Sequence, residues 1–319
     1  MSPSTVQNVA ASVRQRLLNL AHQRGEEFQF VLTRFALERL LYRLGQSSYS
    51  EDFLLKGAML FAVWREEAHR PTTDLDLGSR QLSQDRLREI FREICGIASP
   101  EDALSFDTRA IAVEPIRELQ LYPGARLRIT ARLGNARIPF QVDVGFGDAV
   151  VPGPVRAEYP TLLDHPAPRL KVYPRESVVA EKFQAMVFLG MANTRLKDFY
   201  DLWLLARSFE FQGDVLCRAF RATFDRRQTA LPREVPVALT PEFSEDRGKV
   251  QGWRGFLRRN RLDAPDSLAE VCAFLGSFLL QPSRAAVEGA AFVSSWRPGG
   301  PWQGISPAPA DLYLADTRT

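Results

Sequence analysis

The chain has 319 residues, 45% of them hydrophobic and 25% charged, with 41 Lys+Arg against 38 Asp+Glu. That is globular composition with enough chain for a large core and an accessory domain, and a formal charge of +3 excludes a uniformly basic coat for nucleic acid. No apolar run approaches the ~18 residues of a membrane span, and three widely spaced cysteines (Cys95, Cys217, Cys272) with three histidines (His22, His69, His165) suit neither a disulfide framework nor a metal site.

In chain order, the polar N-terminus, Met1–Ala10, lacks a charged-then-apolar export pattern, so the expectation is a cytoplasmic protein. Residues 5–45 carry Leu17, Leu18 and then Phe30, Phe35, Leu37, Leu40 and Leu41 at helical spacing. Two helices follow from this, with Gly25 between them and Gly45 ending the second. Phe53–Leu55 reads as a short strand reaching Lys56-Gly57-Ala58, and Met59–Trp64 as a buried helix. Thr73–Leu77 alternates acid and apolar residues as a strand does, and Leu82–Ile94 is amphipathic in a helical period. Phe106–Val113, Leu127–Leu133 and Ile138–Val144 read as strands. Gly134-Asn135 marks an antiparallel hairpin between the last two. Leu170–Tyr173 is a further strand; Pro174 then opens a helix carrying Glu181-Lys182. A break at Gly190–Thr194 precedes a helix over Lys197–Arg207.

This order predicts an α+β fold, divided into N-terminal helices (1–50), a core (51–210), a basic helical C-terminal domain (211–284) and a tail (285–319). Pro298-Gly299-Gly300-Pro301 and Pro307–Pro309 make the tail too rich in breakers to hold a core, and it is expected to be flexible or loosely docked.

Asp74 and Asp76 lie two apart on a strand, so both side chains leave one face. Paired carboxylates repel unless a cation sits between them, and Mg²⁺ commonly takes one or two carboxylates plus substrate phosphates. Asp143 is a third acid, sharing a face with Gln141 and Gly145 opposite Phe140, Val142 and Val144. The same pattern also serves a solvated strand face. Gly57-Ala58 lies at a strand-to-helix turn, where small residues admit phosphate to backbone N–H groups. A tight turn explains it equally well.

Composition adds a further mark. Only five basic residues are Lys (56, 171, 182, 197, 249), so a Lys in this Arg-rich chain hints at a site wanting a compact charge.

Four blocks resemble a known family: Leu55-Lys56-Gly57-Ala58-Met59-Leu60, Arg70-Pro71-Thr72-Thr73-Asp74-Leu75-Asp76-Leu77, Val178-Val179-Ala180-Glu181-Lys182, and Arg195-Leu196-Lys197-Asp198-Phe199-Tyr200-Asp201-Leu202. In order and spacing they are similar to the AbiEii-type nucleotidyltransferases, the toxins of type IV toxin–antitoxin and abortive-infection systems, of the polymerase-β superfamily. Ala58 departs from the Ser or Gly common in that superfamily and removes a hydroxyl contact to phosphate. The resemblance implies a polymerase-β-like mixed sheet core. Asp74, Asp76 and Asp143 would hold Mg²⁺ (or Mn²⁺), with Asp143 placed to take a proton from the attacking hydroxyl. Lys182 would neutralise phosphate charge, and Asp198 would complete the later motif. Lys56, Gly57, Ala58 and Arg195 would line the nucleotide and its phosphates. Arg70 and Thr72 directly precede the acid strand, within reach of the phosphates or the metal shell, with a solvent-facing loop as the plain alternative. The implied reaction moves an NMP from an NTP onto an acceptor hydroxyl with release of pyrophosphate. The implied acceptor is the 3′ end of tRNA, which would block translation, and the implied partner is a cognate antitoxin.

Residues 218–261 hold eleven Arg+Lys against five Asp+Glu, which suits a polyanionic acceptor. Arg254, Arg258, Arg259 and Arg261, interleaved with Trp253 and Phe256, are the candidate RNA-binding residues. A solvated helix in an Arg-rich chain is the plain alternative. Two other functions stay open: the same fold modifying a protein or small-molecule hydroxyl, and a non-catalytic module that binds RNA or a partner.

Overall fold

Strict alternation builds the centre of the first unit. In a computed structural model that describes residues 9–65, 70–116 and 124–304, the chain divides into two units. The first holds α1 (Val9–Arg24), α2 (Phe28–Gln46), β1 (Phe53–Lys56), α3 (Leu60–Trp64), β2 (Asp74–Ser79), α4 (Gln84–Gly96), β3 (Leu104–Phe106), β4 (Ala112–Pro115), β5 (Gly124–Leu133), β6 (Ala136–Phe146), β7 (Val155–Glu158) and β8 (Arg169–Val172). The strands form one mixed sheet in the order β3-β5-β6-β2-β1-β8-β7, with β4 also on β5. Along β5 and β6, Leu127, Ile129, Ala131 and Leu133 with Ile138, Phe140, Val142 and Val144 are buried every second residue. These residues make a hydrophobic face, against which α2 packs.

The pairing across the centre decides where chemistry can sit. Strand β2 runs antiparallel to β1 but parallel to β6, with Asp76 opposite Asp143 and Lys56 opposite Asp76. Parallel neighbours in register point their side chains the same way, so the acids of β2 and β6 share the face away from α2. The β5–β6 hairpin turns at Gly134-Asn135 as the sequence indicates, with the positive φ (+57°) on Gly134 and not on Asn135.

Two expectations are corrected, and one strand is added. Gly45 lies inside α2 rather than ending it: a Cβ there would stand 2.6 Å from the Arg169 carbonyl oxygen, so its value is close approach to β8. Phe106–Val113 is not one strand but β3 and β4, separated by a 3₁₀ turn at Thr108–Ala110. Strand β7 carries no clear alternation in sequence and was not expected.

Helix α5 (Arg175–Leu189) opens in the first unit and continues in the second. The second unit adds α6 (Leu196–Ser208), β9 (Phe211–Gln212), α7 (Gly213–Arg226), α8 (Pro241–Ser244), α9 (Arg247–Asn260), α10 (Leu268–Glu288), β10 (Ser294–Trp296) and β11 (Trp302–Gly304). The last residues of α7 and the turn after α9 group with the first unit. The division between the two units falls within α5.

The tail expectation also changes. Strand β10 pairs with both β9 and β11, Trp296 is 1% exposed, and its Nε1–H donates to the Ala206 carbonyl at 2.7 Å. Trp302 stacks on Phe278 and donates to that residue's carbonyl at 2.9 Å. Aromatic anchoring thus holds the chain to Gly304 despite the breakers; residues 305–319, like 1–8 and His69, lie outside the described residues. No helix among the described residues is long and apolar enough to cross a membrane.

Candidate active site

One row of charged side chains crosses the first unit's sheet. Reading across strands in register it runs Lys56, Asp76, Asp143, Arg126 and Glu114, contributed by β1, β2, β6, β5 and β4. Asp74 stands two residues before Asp76 on the same face, opposite Gln141. The sequence brought Asp74, Asp76 and Asp143 to one face for a simple reason: each alternates with leucine or valine that the core requires.

The turn after β1 is shaped around Asp76. Gly57 has φ +69°, and a Cβ on it would stand 1.8 Å from Asp76 Oδ2 and 2.6 Å from Cγ. Only glycine fits both the conformation and the approach. Ala58, buried, begins the turn that leads into α3, where the Phe61 N–H reaches the Ala58 carbonyl. Thr72 Oγ1 accepts from the Asp74 N–H at 3.4 Å, so Thr72 fixes the start of the acid strand. Arg70 lies in the loop just before it.

Asp143 is held by a partner that sequence reasoning missed. Arg126 Nε and Nη2 each donate to one Asp143 oxygen at 2.8 Å, a two-pronged pair across the β5–β6 register. As they stand, no three acid, His or Cys side chains among the described residues group closely enough to form a ready ligand set.

Lys56 lies beside an acid from the loop after β6. Its ammonium meets Asp148 Oδ2 at 2.5 Å and lies 4.6 Å from the centre of the Tyr173 ring. Gly78 and Gly145, in register, make the floor beneath this pair. A Cβ on Gly78 would sit 3.1 Å from Lys56 Cδ, and one on Gly145 3.2 Å from Asp148 Oδ2. Burial alone would raise the Asp148 carboxyl, but Lys56 and Arg227 outweigh it and hold it below its ordinary value. Asp148 follows β6 in an irregular loop, which no sequence period marks.

The second unit carries its own ion cluster. Lys182 on α5 contacts Asp198 Oδ1 at 2.6 Å and Asp201 Oδ2 at 2.8 Å on α6, and Arg195 Nε reaches Asp198 Oδ2 at 2.7 Å. Both carboxylates are 1% exposed, one turn apart on the helix, and the four charges cancel. Burial pushes the Asp198 carboxyl up, yet Lys182 and Arg195 together hold it below the usual range despite Asp201. Asp201 stands in the fourth motif block without an assigned role; its i,i+3 spacing from Asp198 on one helix was the available signal. Four of the five lysines hold a named carboxylate or carbonyl, the last being Lys249 on the Asn193 carbonyl.

Structure redistributes the candidate RNA-binding residues. Arg254 and Arg258 share the exposed stripe of α9 with Arg247 and Gln251, and Arg259 is exposed on the adjoining face. Arg261 lies beyond the helix end at φ +52° and groups with the first unit. Trp253 is fully buried, its Nε1–H on the Pro265 carbonyl, so it offers no surface for stacking a base.

Comparison with known proteins agrees with the motif blocks. The family model for the nucleotidyl transferase AbiEii toxin of type IV toxin–antitoxin systems matches residues 39–284. No curated protein matches. Two solved Helicobacter pylori structures are similar over 82% of this chain at 14% identity. One is JHP933 (95% of that chain, TM-score 0.48); the other is described as a candidate nucleotidyltransferase (98% of that chain, TM-score 0.44). With more than half its length matched by that model, the chain belongs to the AbiEii family of nucleotidyltransferase toxins.

Proposed function

We propose that this nucleotidyltransferase moves an NMP from an NTP to the 3′-terminal hydroxyl of tRNA, with Mg²⁺ (Mn²⁺ able to replace it) and release of pyrophosphate. A tRNA so modified cannot be charged, and translation stops. The observation that carries the reading is the Asp74, Asp76 and Asp143 face on two adjacent parallel strands, bared by Gly57.

The donor set fits a hard cation. Asp74 and Asp76 are oxygen ligands on one face, of the kind Mg²⁺ takes together with substrate phosphates. Asp143, in register with Asp76, is the third carboxylate and the acceptor for the attacking hydroxyl's proton. The metal, when bound, supplies charge at the triphosphate. The residues' own work is orientation: Gly57 leaves room at Asp76, Thr72 fixes the Asp74 backbone, and Asp198 with Asp201 holds the Lys182 ammonium assigned to phosphate.

Family membership supports an antitoxin as the protein partner, and the exposed arginines of α9 supply a surface of the right sign for RNA phosphate. The test is incubation with Mg²⁺, total tRNA and each α-labelled NTP in turn, with an Asp74→Ala, Asp76→Ala control. Label on tRNA from one NTP, lost in the control, is the expected result. Label on protein or a small molecule instead, or none at all, would refute the tRNA reading.

A further inference from the structure

Asp76 and Asp143 stand side by side in register on adjacent strands, where two carboxylates repel. Arg126 answers this for Asp143: its fork takes both oxygens at 2.8 Å, with the two side chains only 23% and 19% exposed. Glu114, the acid opposite Arg126 on the next strand, is taken by Arg128 at 2.7 Å and does not draw the guanidinium away.

We propose that Arg126 is a latch on Asp143. In the nucleotide-free protein it neutralises the carboxylate and covers the oxygens that face β5. When the nucleotide enters, the guanidinium moves to the triphosphate, whose oxygens match the same planar fork, and Asp143 is released to its neighbours. Arg126 thereby serves as a phosphate contact and as a guard against cation binding before nucleotide. The exchange is reachable because both partners are partly open to solvent, so the pair can part without leaving a charge sealed in a dry core. The inference rests on the nucleotidyl-transfer reading of this sheet face.

The test is a Mn²⁺ titration of the nucleotide-free protein, comparing wild type, Arg126→Gln, Arg126→Lys and Arg128→Gln, with thermal unfolding to show that each is folded. Arg128 is the control: it is a neighbouring charge on the same strand face, bonded to Glu114 and not to Asp143. The expected result is five- to tenfold tighter Mn²⁺ binding in Arg126→Gln, a smaller gain in Arg126→Lys, and little change in Arg128→Gln. In the transfer assay KM for the NTP should rise at least tenfold in Arg126→Gln, more than kcat falls. Unchanged or weaker Mn²⁺ binding in folded Arg126→Gln overturns the latch, as does an equal gain in Arg128→Gln. Should Arg126→Gln not fold, Arg126→Lys decides by the same criterion. A wild-type protein that transfers nothing would refute the functional reading, while the Mn²⁺ comparison would still decide the latch.

Discussion

The Gly57 Cα lies directly against the Asp76 carboxylate, so close that a Cβ would fall 1.8 Å from Oδ2. One residue on the β1–α3 turn therefore sets where the second acid of the Asp74–Asp76 pair can point. Gly57→Ala should abolish transfer and destabilise the fold by at least the ~1–2 kcal/mol of a left-handed non-glycine residue. Gly25 is the comparison, with φ +63° and nothing within 4 Å of its Cβ. Gly25→Ala should incur the same backbone cost in a chemical denaturation series yet leave transfer intact. Equal activities in the two variants would refute the role given to Gly57.

Lys182 bridges two carboxylates that are each 1% exposed. Removing it leaves buried negative charge without its cation, which costs about 3–5 kcal/mol in comparable cases. Lys182→Met should therefore lower the midpoint of thermal unfolding sharply, and lost transfer in that variant alone would not identify a phosphate contact. Restoring neutrality with Asp201→Asn in the same chain should recover much of the stability. Activity that stays absent in the stable double variant is then the informative result. The acid side follows from Asp198, whose carboxyl is held below its ordinary 3.8. Its contribution is complete above that value and fades as pH falls below it, so the stability gap between wild type and Lys182→Met should narrow as pH drops below 3.8.

Trp296 tests how firmly the C-terminal strands are attached. It is 1% exposed within a cluster of Phe274, Phe278 and Trp302, and its indole N–H is bonded to Ala206. Trp296→Ala should cost about 3–5 kcal/mol, measured by urea unfolding. A cost below ~1 kcal/mol would mean that the segment is detachable, as its prolines and glycines first suggest.

Elements were legible wherever burial forces a period. The β5–β6 hairpin, the acid strand β2 and helices α2, α4 and α6 follow from residues that alternate, or recur every three to four, because one side must be dry. What escaped depended on contacts between distant residues. Arg126 is one of 36 arginines until the hairpin register sets it opposite Asp143. Asp148 sits in a loop and gains meaning only when Lys56 reaches it across two glycines. Breaker-rich sequence misled at residues 290–304 because two tryptophans outweigh the local preference for turns. Trp253 misled in the opposite sense: aromatic among arginines, it belongs to the core.

Glu38 gives stability a pH dependence near neutrality. It is 1% exposed on α2, and burial pushes its carboxyl from 4.5 up to about 7, against the lowering by the Leu162 N–H and Arg39. A folded-state value above the unfolded one means stability is fully present below 4.5 and is lost as pH rises through 7. The span corresponds to roughly 3 kcal/mol at most. Glu38→Gln keeps an oxygen for the Leu162 N–H, bonded at 2.7 Å, and removes the titration. Its unfolding midpoint should change little between pH 5 and 8, whereas wild type should lose stability over that interval. A wild-type midpoint that rises with pH there would contradict the assignment.

The stripe of α9 offers the cleanest separation between binding and folding. Arg254 and Arg258 lie one turn apart on its exposed side, while Trp253 and Leu257 hold the opposite side in the core. Neither arginine makes an ion pair with another described residue, so replacing both with Gln removes charge without removing packing. Unfolding midpoints should stay within the ~0.5 kcal/mol typical of surface changes. If the stripe grips RNA phosphates, affinity for tRNA should fall for every sequence alike, and the slope of log K against log salt should become shallower by about 1 per lost contact. Transfer to tRNA should then show a raised KM for tRNA with an unchanged KM for NTP, because nothing at the Asp74–Asp76 face has been altered. An unchanged salt slope in Arg254→Gln, Arg258→Gln would return these arginines to the role of a solvated helix face, and the acceptor surface would have to be sought elsewhere.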